Sequence, residues 1–160
     1  KMIAEQEYSD TQKIQNIHNI ALLHDIGKIA IPDDIINKPG KLTDEEYNLI
    51  KAHTITGAQI LSEISSYPDL INGAKYHHER YDGRGYPCGL KGEEIPEIAA
   101  IIGVADAYDA MTSNRSYRKM LPQDVVRNEI SKGLGTQFHP KWGKIMLQLI
   151  DQDTSYTMHQ

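Results

Sequence analysis

The sequence predicts an all-α fold, and three observations carry that prediction. Apolar residues recur at helical spacing, as Ile14, Ile17 and Ala21 do. Helix-start signals precede such stretches: Thr43 with Glu46, and prolines at 68, 96, 122 and 140. Strand-type alternation is weak along the whole chain.

Taken in order, the first apolar stripe runs through Ile14, Ile17 and Ala21 and, continued, reaches His24 and Asp25. Lys28, four residues after His24, shares that face if the helix extends so far. Thr43 and Glu46 form a capping-box pattern, so a helix starts near Asp44 and runs toward His53. Pro68 suits the first turn of a helix that carries His77 and His78 near its end. Pro96 opens a helix with Ile98, Ile101, Ile102 and Ala105 inward, and Asp106 shares that face four residues after Ile102. Pro122 and Pro140 precede two further helical stretches. Between Glu79 and Ile95, Gly83, Gly85, Pro87, Gly89 and Gly92 interrupt any regular pattern. A loop of that length is usually functional rather than a bare connection.

At 160 residues the chain is long enough for one well-buried core, so residues 1–160 read as a single domain with a polar tail over 152–160. Hydrophobic residues at 39% and charged residues at 24% place it among globular rather than disordered chains. A net charge of -5 gives no electrostatic footprint for wrapping DNA or RNA, so an anionic ligand would need local cations or metal ions. Cys88 is the one cysteine, which excludes an internal disulfide and fits a cytoplasmic setting. No apolar run approaches the roughly 20 residues of a membrane-spanning helix, and no signal peptide is visible. Beginning at Lys1, the chain reads as a C-terminal piece of a longer protein.

The chemistry concentrates in a few polar residues on the inward faces. HDIGK at 24–28, His53, the pair His77 and His78, and Asp106 supply imidazoles and carboxylates from successive predicted helices. That donor set suits iron, manganese or zinc, and the lack of thiolates argues against a structural zinc site. Six ligands exceed the need of a single catalytic ion and fit two, with Asp25 as bridge and His24, Asp106 and His53 completing the shells. Two ions about 3.5–4 Å apart stabilise an in-line displacement at phosphorus. Lys28 alone would be an ordinary helix-end cation. Beside such ions it is placed to hold a phosphate oxygen. His18, His139 and His159 read as surface or hydrogen-bonded histidines.

Four segments together resemble the HD-GYP family, the bacterial cyclic-di-GMP phosphodiesterases of the HD superfamily. They are HDIGKIAIPDDIINKPGKLTDEEY from His24, the single His53, HHERYDGRGYPCGLKGEEIP from His77, and VADAYDAMTSNRSYR from Val104. The resemblance implies an HD-type helical bundle with a long irregular GYP loop. It also implies a centre of two divalent ions, or three, iron or manganese, held by His24, Asp25, His53, His77, His78 and Asp106. Asp25 and Lys28 would then be catalytic, with Lys28, Arg115 and Arg118 on substrate phosphates and Tyr86 lining the guanine pocket. The implied reaction is attack of a hydroxide held by the ions on cyclic-di-GMP, giving pGpG or GMP. The implied partners are that cyclic dinucleotide and an upstream regulatory or sensor domain in the same polypeptide, and the resemblance leaves room for a homodimer.

Three departures from the family pattern stand out. A further upstream histidine ligand of the family has no counterpart here, since His18 lies too close to His24, so its helix is expected before Lys1. Ala100 stands where the family has Arg, and His139 where it has Asp. Two rival readings stay open: a module that senses a cyclic dinucleotide without turnover, and a hydrolase of another phosphate ester.

Overall fold

The computed structural model describes residues 1–64, 67–113, 120–155 and 157–158. Among the described residues the regular structure is nine α-helices and two 3-10 turns, and the only β-type pairings are the isolated bridges Asp82–Lys91 and Leu134–Phe138. The all-α expectation therefore holds. The helices are α1 Met2–Glu7, α2 Thr11–Leu23, α3 Asp33–Ile36, α4 Asp44–Lys51, α5 His53–Ile64, α6 Pro68–Tyr76, α7 Glu97–Thr112, α8 Gln123–Gly133 and α9 Pro140–Gln152. The 3-10 turns span Ile26–Ala30 and Gly92–Glu94.

Local chemistry sets most helix starts. Asp10 caps α2 by accepting from the backbone N–H groups of Gln12 (2.8 Å) and Lys13 (3.2 Å). The capping box is real: Thr43 Oγ1 accepts from the Glu46 N–H at 3.2 Å, and Glu46 accepts from the Thr43 N–H at 2.8 Å. Pro68 and Pro140 occupy the first turns of α6 and α9, where the missing N–H costs nothing. Pro96 and Pro122 stand one residue earlier, as the caps of α7 and α8.

Two expectations need correction. The stripe from Ile14 does not continue as α-helix to Lys28. α2 stops at Leu23, and Lys28 lies on the 3-10 turn that follows. The reason is tertiary: a Cβ added to Gly27 would strike the His53 carbonyl of α5, so the chain presses backbone to backbone there. Nor does one helix run from Asp44 to His53. α4 ends at Lys51, and His53 heads its own helix, α5.

α7 is the central element. Ile98, Ala99, Ile101, Ile102, Val104 and Tyr108 are all buried along it, so it is apolar nearly all round. Ile17 and Ile20 of α2, Val126 and Ile130 of α8, and Trp142, Met146, Leu149 and Ile150 of α9 complete the main core with it. Gly103 lets α7 approach the end of α6: a Cβ there would lie 2.8 Å from the His77 carbonyl oxygen. Asp106, less than a turn further on, is thereby carried to the histidine pair.

Candidate metal centre and substrate cleft

Three of the candidate ligand histidines are each aimed by a carbonyl three residues earlier in the chain. The ring Nδ1 of His24 lies 2.6 Å from the Ala21 carbonyl, that of His53 2.6 Å from Ile50, and that of His77 2.9 Å from Ala74. In a neutral ring, an Nδ1–H donating to those carbonyls leaves Nε2 with the lone pair, the arrangement that orients metal-binding imidazoles. All three Nε2 atoms point to one place. His53 and His77 are fully buried there, with their Nε2 atoms 3.3 Å apart. Two lone pairs facing at that distance repel unless a proton or a metal cation lies between them.

Asp25 sits at the junction. Its Oδ1 lies 3.3 Å from His53 Nε2 and 3.7 Å from His77 Nε2, while its Oδ2 lies 3.3 Å from His24 Nε2 and pairs with Lys28 Nζ. Asp106 Oδ1 stands 3.8 Å from His24 Nε2 on the far side. Ligand atoms thus gather in two groups: Asp25 with His53, His77 and His78, and Asp25 with His24 and Asp106. His24 Nε2 and Asp25 Oδ1 are buried yet make no hydrogen bond of normal geometry with any described residue. Orphaned donor atoms of this kind, in a nitrogen and carboxylate set, fit divalent cations. All six residues expected from the sequence converge. The sequence left the division of the ligands between two ions open, and the geometry puts His53 with His77 and His78.

Burial and the two carboxylates set the electrostatics of the cluster. Burial holds down the His77 imidazole, at about 3, with repulsion from His78 and His24 assisting, and burial likewise takes His78 to about 4. Burial also works against a charged His24, but Asp106 and Asp25 outweigh it and push its pKa up to about 10. For Asp25, burial is outweighed by His24, His53 and Lys28, which hold the carboxyl well below its usual range. Asp106 is shifted down as well, burial being overcome by His24.

A pH prediction follows for the metal-free protein. His77 is neutral when folded and charges near its ordinary 6.5 when unfolded, so stability falls as pH drops from about 6.5 toward 3. His24 acts with the opposite sign: its contribution is complete below 6.5 and is lost as pH rises toward about 10. Thermal melts in chelator are therefore expected to peak near pH 6.5, and a midpoint still climbing between pH 7 and 9 would contradict the assignment. Metal binding must also displace the His24 proton, so affinity is expected to rise with pH.

The segment behind the histidines is irregular but firmly held. Glu79, only 8% exposed, accepts three backbone N–H groups: Cys88 at 2.7 Å, Gly89 at 3.1 Å and Leu90 at 3.0 Å. Tyr86 returns to the site, its N–H donating to the His78 carbonyl at 3.2 Å and its ring stacking on His78 with centroids 4.8 Å apart. Across the cleft, Tyr47 of α4 meets Tyr86 edge-on at 6.4 Å. The resulting cavity, about 460 Å³, is floored by His53, His77, His78 and Asp106 and walled by Lys28, Tyr47, Tyr86 and Arg84. Arg115 and Arg118 lie outside the described residues.

Sequence reasoning missed Glu79, Tyr47 and Arg84. The HHE run marked Glu79 as adjacent to the ligands, but only its burial under the loop reveals its partners. The departure at His139 has a physical account. Its Nδ1 accepts the Lys141 N–H at 3.1 Å and so caps α9, as a carboxylate would, while its Nε2 lies 3.2 Å from Glu93 at the end of the loop. Ala100 lines the cleft wall on α7, and nothing in the structure explains its replacing an arginine.

Comparison with known proteins bears on this arrangement. Residues 1–138 match the family model described as HD domain. A cyclic di-GMP phosphodiesterase of Thermotoga maritima is 45% identical over 150 residues, covering 92% of this chain and 40% of that protein. A 3'3'-cGAMP-specific phosphodiesterase of Vibrio cholerae is 39% identical over 140 residues, covering 85% of this chain and 26% of that protein. Among solved structures, an HDG"Y"P protein from Bdellovibrio bacteriovorus superposes with a TM-score of 0.74 at 23% identity, over 94% of this chain and 48% of that one. The chain thus spans less than half the length of each of these proteins.

Proposed function

The chain belongs to the HD domain family, in its HD-GYP form, and from that premise we propose that it is a metal-dependent phosphodiesterase acting on cyclic-di-GMP. The single observation that carries this reading is Asp25, whose two carboxylate oxygens face two separate groups of ligand atoms at the floor of one cleft. Divalent ions held there, two and of iron or manganese in our reading, supply Lewis acidity and a water of lowered pKa. His24 and Asp106 would hold one ion, and His53, His77 and His78 the other, with Asp25 shared.

The chain's own residues do the rest. Lys28, already drawn to Asp25, sits at the cleft wall where a non-bridging phosphate oxygen would meet its ammonium. Arg115 and Arg118 are assigned to the phosphates by family likeness. Tyr86, braced on His78, offers its free face to a guanine. Water adds to phosphorus, the P–O3′ bond breaks and the 3′ oxygen leaves with a proton, giving linear pGpG; a second cleavage gives two GMP. The greater length of the relatives supports a regulatory domain in the same polypeptide. No helix among the described residues is long and apolar enough to cross a membrane, and the single cysteine supports a cytoplasmic setting.

The test is hydrolysis of cyclic-di-GMP by protein loaded anaerobically with iron or manganese, set beside His77→Ala and Asp106→Ala. Each variant is expected to lose at least about a hundredfold in rate together with bound metal. Unchanged rates in both would defeat the proposal.

A further inference from the structure

A second cavity, about 890 Å³, adjoins the first and shares Lys28, Tyr47 and Ile50 with it as a common wall. Its remaining walls come from the segment between the 3-10 turn at Ile26–Ala30 and α4. Ile35, Ile36 and Leu42 make it apolar, and two ammonium groups, Lys38 and Lys41, stand at it. The two lysines differ. Lys38 is held by both carboxylate oxygens of Glu46, at 2.8 and 2.7 Å. Lys41 makes no hydrogen bond or ion pair with any described residue.

We propose that this second cavity seats the distal base of the cyclic dinucleotide, and that Lys41 reads it as guanine. The inference rests on the phosphodiesterase reading above. A cyclic dinucleotide carries its two bases on different sugars, at opposite ends of the macrocycle. With one phosphodiester over the ligand cluster and one base on Tyr86, the other base reaches beyond the first cleft, and the second cavity lies against the same Lys28, Tyr47 and Ile50. The chemistry there matches a purine: isoleucine and leucine side chains for its faces, and an ammonium for its edge. Guanine presents two acceptors on that edge, O6 and N7, to which lysine donates, whereas adenine places an amino donor where O6 would be. A free ammonium therefore favours guanine and disfavours adenine at this position.

The experiment compares cyclic-di-GMP, cyclic-di-AMP and the small diester bis(p-nitrophenyl) phosphate on metal-loaded protein. Lys41→Met keeps the length and removes the charge at an exposed residue. It is expected to lower kcat/KM for cyclic-di-GMP about tenfold, measured against the small diester, and to shrink the preference over cyclic-di-AMP by a similar factor. Ile36→Trp fills the cavity from a partly exposed position and is expected to raise KM for both dinucleotides relative to the small diester. A guanine preference untouched by Lys41→Met, with dinucleotide KM untouched by Ile36→Trp, overturns the inference while leaving the phosphodiesterase reading standing. Wild-type protein that cleaves the small diester but neither dinucleotide refutes that reading, and the inference with it.

Discussion

Asp25→Asn is expected to abolish binding of the full metal complement and to slow phosphodiester hydrolysis by about three orders of magnitude. The amide keeps the shape of the carboxylate but removes the charge that both ligand groups share. Asp25 Oδ1 faces His53 and His77, and Oδ2 faces His24 and Lys28, so no other described side chain serves both groups. Without the anion, the ammonium of Lys28 and the protonated His24 repel an incoming cation. Lewis-acid support is worth several kcal/mol, and at about 1.4 kcal/mol per decade that corresponds to the loss stated. Metal analysis and turnover on the same sample check it. An Asp25→Asn protein that keeps two ions and a rate within tenfold of wild type would show that the carboxylate is not the bridge.

Glu79→Ala carries the second largest effect and acts at a distance from the ions. It strands three backbone N–H groups that now donate to one buried carboxylate. Each bond to a charged acceptor contributes about 1.5–3 kcal/mol, and water entering the gap recovers part of that, leaving an expected destabilisation of about 3 kcal/mol. The functional signature separates this role from general structural damage. Tyr86 rides on the released loop whereas His77 and His78 do not, so KM for cyclic-di-GMP is expected to rise more than kcat falls. Glu79→Gln, which preserves one acceptor, is expected to recover part of both effects. Urea unfolding, steady-state kinetics and metal content settle the matter together. A Glu79→Ala protein with native stability and native KM would remove the loop-anchoring role.

The same reasoning explains what pattern alone could not show. Both His77 and Glu79 are polar residues in one short run, and periodicity treats them alike. In the fold, His77 turns its Nε2 into the ligand cluster while Glu79 turns back under residues 88–90. A one-dimensional reading has no means to divide them. Lys28 illustrates a different case: helical spacing would put it on the His24 face only if α2 ran that far, and it reaches Asp25 instead through a 3-10 turn after α2 stops at Leu23.

Helix starts at Asp44, Pro68 and Pro140, the all-α class and the six candidate ligand residues could be named without coordinates, because capping, proline geometry and donor chemistry act within a few residues of chain. Which ligands stand together, the orientation of each imidazole, the anchoring by Glu79 and the second cavity belonged to the tertiary fold. Those depend on how closely the Ile26–Ala30 turn approaches α5 and α7 approaches the end of α6, distances that Gly27 and Gly103 respectively allow. Spacing along a chain names the donors, but only contact between distant segments brings their lone pairs to one point.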